Sequence, residues 1–86
     1  MGNSFCVVTF HSTHLALRYE RVARQEGVET CLIPVPRQIS SSCGLAGRFG
    51  EELLLQVQQL CASYGLETEG FFRVPADRQT PPQPLE

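Results

Sequence analysis

The residues with most chemistry to offer fall into two short stretches. Ser40-Ser41-Ser42-Cys43-Gly44 sets a thiol among small side chains, and His11-Ser12-Thr13-His14 carries two imidazoles three positions apart. The thiolate, not the thiol, is the nucleophile and the metal ligand. A helix N-terminus, an imidazole or a guanidinium such as that of Arg37 beside Cys43 would each favour thiolate over thiol. The serines and Gly44 surround the sulfur with small groups and backbone N–H donors, an open polar setting suited to exchange at sulfur. His11, His14 and Cys43 could also supply three zinc ligands, but no fourth is evident and no CxxC pair occurs. The expectation is therefore no metal and no bound cofactor, with the histidines acting as caps or as tuners of the thiol.

The other three cysteines read differently. Cys6 and Cys31 lie among Val, Leu and Ile in strand-like runs and are expected to be small buried hydrophobes. Cys61 falls on the apolar flank of a helix, where core packing is the main reading and a resolving thiol for Cys43 the lesser one. Arg18, Arg21 and Arg24 follow helical spacing and suit a solvated face.

The elements that must position these groups follow from periodicity. Ser4–Phe10 is rich in β-branched and aromatic residues and reads as a strand buried on both faces. Ser12 or Thr13 can cap a helix whose apolar side carries Leu15, Ala16, Tyr19, Val22 and Ala23, and Gly27 stops it. A second strand spans Val28–Pro34, ended by Pro34 and Pro36. After a polar loop, Cys43–Phe49 is a short, glycine-diluted strand candidate. Glu51 and Glu52 lead into a helix with Leu53, Val57, Leu60 and Tyr64 on its apolar stripe, stopped by Gly65, and Gly70–Val74 is the last strand.

The order β-α-β-β-α-β over residues 1–75 points to a single α+β domain, a ferredoxin-like βαββαβ sandwich with a four-stranded antiparallel sheet and both helices on one face. Right-handed crossovers put strand three between strands one and two. Strand three then starts beside the end of strand one, which carries the SSSCG stretch to the HSTH stretch. The other sheet face is expected to be bare of helices and, since both sides of strand one are apolar, to meet another subunit. Residues 76–86, with Pro81-Pro82-Gln83-Pro84, read as a disordered Pro-rich tail, and Leu85-Glu86 as an expression remnant.

Composition excludes several classes of function. With 86 residues, 42% hydrophobic, there is room for one small core and none for a cleft between domains. A net charge of −2, with arginine as the sole basic residue type among seven, lacks the basic stripe that phosphate binding needs, so no nucleic acid is expected. Phe71-Phe72 resembles the aromatics of an RNA-binding sheet but has no basic residues clustered around it. Apolar runs are far shorter than the ~20 residues that span a bilayer. The start Met1-Gly2-Asn3-Ser4-Phe5-Cys6 fails as a myristoylation site because Cys6 stands where Ser or Thr is required. No basic-then-apolar leader opens the chain, so a cytoplasmic protein with reduced thiols and no membrane association is expected.

Two stretches, His11-Ser12-Thr13-His14-Leu15-Ala16-Leu17 and Ile33-Pro34-Val35-Pro36-Arg37-Gln38-Ile39-Ser40-Ser41-Ser42-Cys43-Gly44-Leu45-Ala46, resemble the selenium/sulfur carrier protein-like family of small bacterial domains. The resemblance covers nearly all of Phe5 to Val74, and SSSCGLA is its most specific part. It implies that Cys43 is the carrier of a persulfide or perselenide. The strand order adds His14, His11 and Arg37 as its expected helpers and Ser40, Ser41, Ser42 and Gly44 as the loop around it, with a desulfurase-like donor protein and an acceptor protein as the expected partners. Such a chain is a carrier rather than a stand-alone enzyme. Family members more often have Thr at the position of Val35, Glu at Gln38 and a larger apolar residue at Gly47. The competing expectation is a non-catalytic ferredoxin-like module that regulates or scaffolds a partner and forms a homodimer through its open sheet face.

Overall fold

A computed structural model describes residues 4–77 and 79–85. Met1 to Asn3, which open the stretch read against a myristoylation site, and Arg78 and Glu86 of the tail lie outside them. Strand β1 (Phe5–Thr9) leads to helix α1 (Thr13–Gln25), strand β2 (Cys31–Pro34) and strand β3 (Leu45–Gly50). A 3-10 turn (Glu51–Leu53) then opens helix α2 (Leu54–Ser63), followed by strands β4 (Gly70–Val74) and β5 (Gln83–Leu85). All pairings are antiparallel and the sheet order is β2-β3-β1-β4-β5.

The order places β3 between β1 and β2, as the crossovers required, and makes β1 the centre. Cys6, Val7, Val8, Thr9 and Phe10 are all 1% exposed or less, so the apolar residues on both sides of this strand are accounted for by burial on both faces. Helix α1 starts where Ser12 Oγ accepts the Leu15 N–H at 3.3 Å. It stops at Gly27, whose φ of 72° lets the Val28 N–H return to the Ala23 carbonyl at 2.9 Å. That bond is why β2 is shorter than the expected Val28–Pro34: Val28 finishes the helix and cannot join a ladder. Helix α2 ends the same way, with Gly65 at φ 63° and the Leu66 N–H bonded to the Cys61 carbonyl.

On the helix face, Cys6, Val8, Phe10 and Phe49 form one core with Ala16, Tyr19, Val22, Ala23, Val57, Leu60 and Cys61. Tyr19 is fully buried with its ring 5.2 Å from Phe10, and its hydroxyl donates to Thr30 Oγ1 at 2.8 Å, which in turn donates to the Arg48 carbonyl. Its ring lies where a side chain at Gly47 would have to go: a Cβ there would sit 2.5 Å from Tyr19 Cε2. Gly47 is thus the seat of the largest fully buried side chain, so it serves the packing as well as diluting the strand.

Three expectations are corrected. The sheet has five strands and not four, because residues 83–85 of the Pro-rich segment pair with β4. Proline is tolerated there because β5 is an edge strand that owes no N–H to a further neighbour. Leu85 packs against the main core. The sheet face away from the helices carries no residue of α1 or α2 in its cluster, as expected, but it is not open: Ile39 from the β2–β3 loop covers Val7 and Ala46, with Phe5, Ile33, Val35, Phe72 and Val74 packed around them. Finally, Cys31 is exposed, not buried, because it begins the other edge strand.

Candidate functional site

The β1–β3 pairing, with Thr9 opposite Ala46, brings the start of β3 to the end of β1. Cys43 therefore meets the first turn of α1, and its Sγ lies 3.6 Å from Thr13 Oγ1. The same sulfur accepts the Leu45 N–H at 3.4 Å. Both are hydroxyl or amide contacts of the kind that a negatively charged sulfur would draw on, and they sit at the positive end of a helix of 13 residues. The chain is continuous with the ladder on either side, since the Val35 N–H donates to the Gly44 carbonyl at 3.1 Å.

Accessibility departs from the expected open thiol. Cys43 is only 3% exposed and its side chain joins the edge of the helix-face core. Gly44, next to it, is exposed, and a Cβ there would meet no atom within 4 Å. The thiol thus lies one residue beneath open space, polar on the side of Thr13 and Leu45 and apolar on the other.

The predicted helpers divide. His11 is at the rim, 3.7 Å from Glu69 and not on the sulfur. His14 is exposed on the first turn of α1, and among the described residues no hydrogen bond or ion pair joins it to Cys43. Arg37 is likewise exposed and lines a cavity of about 280 Å³ with Gln38, Val74, Pro75, Asp77 and Thr80. Contact with the thiol comes instead from Thr13 and a backbone amide, groups that need only the helix start and the strand start to coincide. Among the described residues no group of three or more His, Cys, Asp or Glu is placed to hold a metal ion.

Ser40 is exposed, whereas Ser41 and Ser42 are committed to a residue that no motif marked. Glu69 Oε1 accepts the Ser41 hydroxyl at 2.7 Å, and Oε2 accepts the Ser42 hydroxyl at 2.8 Å. The Ser42 N–H reaches both oxygens, at 3.2 and 3.3 Å. These donors, with His11 nearby, hold the Glu69 carboxyl below its ordinary value. Ser41 Oγ in turn accepts the Cys43 N–H at 3.3 Å. The only sequence signal for Glu69 was its place just before Gly70 and β4, beside the end of β1 once the sheet order is known.

The family model described as Putative Se/S carrier protein-like matches residues 5–73. The chain belongs to this Se/S carrier protein-like family. The match runs from β1 through nearly all of β4, so it includes Cys43, Ser41, Ser42 and Glu69, and it stops short of β5. No curated protein and no solved structure matches the chain. Among the described residues no helix is long and apolar enough to cross a membrane.

Proposed function

We propose that this chain carries sulfur or selenium on Cys43, taking it from a donor protein and passing it to an acceptor protein. The observation that carries the reading is the placement of Cys43 Sγ against Thr13 and the Leu45 N–H at the start of α1, inside the stretch that matches the Se/S carrier family. In loading, the Cys43 thiolate attacks the terminal sulfur of a donor persulfide, R–S–SH. The Cys43–sulfur bond forms as the donor sulfur–sulfur bond breaks, and the electron pair leaves on the donor as R–S⁻. The transferred SH keeps its proton, and no external oxidant or reductant enters. Unloading is the same displacement by an acceptor thiolate, and a terminal SeH travels by the same route.

The residues of this chain contribute to both ends of that cycle. The Leu45 N–H and the Thr13 hydroxyl can donate to the anionic sulfur before attack and after release. The helix-one N-terminus adds partial positive charge at the same place. Of the side chains expected to tune the thiol, His11 and His14 lie along the rim where a partner would approach, and Arg37 offers it a positive charge farther along the loop.

The competing reading, a non-catalytic module that pairs through the sheet face opposite the helices, has less support, because Ile39 already covers Val7 and Ala46 there. Incubation with a small-molecule persulfide followed by intact mass measurement separates the two. One added sulfur that disappears in Cys43→Ser is expected; no added sulfur, or sulfur spread over all four cysteines, would reject the carrier.

A further inference from the structure

Burial of Cys43 poses a problem for any chemistry at its sulfur. At 3% exposure, no partner's sulfur can line up for displacement until the loop moves. The described contacts identify what holds the loop shut. Every hydrogen bond of Ser42 among the described residues goes to Glu69. Ser41 has one hydroxyl proton, and the 2.7 Å contact to the Glu69 carboxylate claims it over the Phe10 carbonyl at 3.4 Å. The Cys43 N–H then leans on the Ser41 oxygen so oriented. Glu69 itself is fixed from behind, where its N–H donates to the Thr9 carbonyl at 2.7 Å. A single side chain, tied to the central strand, thus bridges to the two residues that precede the thiol.

We propose that Glu69 is a latch: by holding Ser41 and Ser42 it keeps Cys43 covered, and its release is the step that exposes the sulfur. The inference deepens the carrier reading and rests on it for what the exposed thiol does. Glu69 touches neither the sulfur nor its cargo, so it is a positioning residue. His11 is the titratable group facing it, and the loop Ser40–Gly44 brings Cys43 as its one titratable side chain.

The test compares wild type with Glu69→Ala and Glu69→Gln, following iodoacetamide alkylation of each cysteine by peptide mass spectrometry at one pH. Loss of the latch is expected to speed alkylation of Cys43 about tenfold in Glu69→Ala, the equivalent of one charge-assisted hydrogen bond. Glu69→Gln, which keeps an acceptor oxygen but adds an N–H₂ group, is expected to fall between the two. Alkylation of buried Cys6 and Cys61 should stay at wild-type rates. Hydrogen exchange at the Ser42 and Cys43 amides, which does not depend on the ionisation of the thiol, should accelerate by a similar factor. An unchanged Cys43 rate, or a rise shared with Cys6 and Cys61, would overturn the latch. Should Glu69→Ala fail to fold, Ser42→Ala removes one donor from an exposed position and is expected to give about a threefold effect on the same readouts. The two readings fail separately. Faster alkylation of Cys43 with no loading by a small-molecule persulfide in any variant supports the latch and ends the carrier reading. Loading of wild type and Glu69→Ala at one rate, with one alkylation rate, does the opposite.

Discussion

Cys43 and Cys61 are almost equally hidden, at 3% and 4% exposure, and both belong to the same apolar cluster. Their surroundings nonetheless differ in kind. Cys61 lies on α2 facing the sheet, and burial alone pushes its thiol up to about 11. Cys43 sits where two elements begin, so its sulfur meets an amide and a hydroxyl. Burial by itself therefore says little about a thiol. What matters is whether the buried sulfur faces hydrocarbon or the unpaired donors at the start of a helix or strand.

The largest effect that would sharpen this contrast is on stability. Cys61→Ser puts a hydroxyl among Val57, Leu60 and their neighbours and should cost about 2 kcal/mol in urea unfolding. A cost below about 0.5 kcal/mol would mean that Cys61 has polar company after all. High pH acts on the same interior. Cys61 and Tyr19 are raised by burial, Tyr19 to about 12, so the stability from keeping both neutral is fully present below their unfolded values of 9.0 and 10.0. It should be lost progressively as the pH climbs from 9 towards 12. Burial raises Cys6 in the same direction, so Cys61→Ala should make the loss smaller without abolishing it; thermal unfolding across that range would show it.

Smaller effects are expected at the rim. Ser12→Ala removes the cap that accepts the Leu15 N–H and should cost about 1 kcal/mol, read as a drop in the melting temperature. Cys43→Ser leaves an oxygen within reach of the same two groups and should cost well under 1 kcal/mol, less than half the penalty of Cys61→Ser. Equal penalties at both sites would dissolve the distinction drawn above. The smallest effect is expected in acid. Glu69 is lowered in the folded chain, so its contribution is present above about 4.5 and is lost as the pH falls through the lower folded value. Exchange protection of the Ser42 amide should fade over that interval while that of the central strand, at Val7 and Val8, persists.

Much of this architecture could be read from the chain. Gly27 and Gly65 stop the helices at positions their neighbours alone mark, and β4 was bounded correctly as Gly70–Val74. The meeting of the SSSCG and HSTH stretches followed from strand order, since β3 runs antiparallel to β1. The site was legible to that depth only. Which rim residues touch the sulfur depends on ångström-scale side-chain direction, and there Thr13 and the Leu45 amide took the place expected for His14 and Arg37.

Local chain chemistry, then, determined where elements begin and end: caps, left-handed glycines and apolar spacing act over a few residues and are present in the unfolded chain. Only the tertiary structure decided three matters. It put Cys31 on an open edge and built β5 from a proline-rich segment, because edge positions have no partner on one side. It set Glu69 on Ser41 and Ser42, 28 and 27 positions away in sequence, because pairing a carboxylate with distant hydroxyls requires the strand order first. And it covered the thiol, since exposure belongs to the assembled surface and to no residue alone.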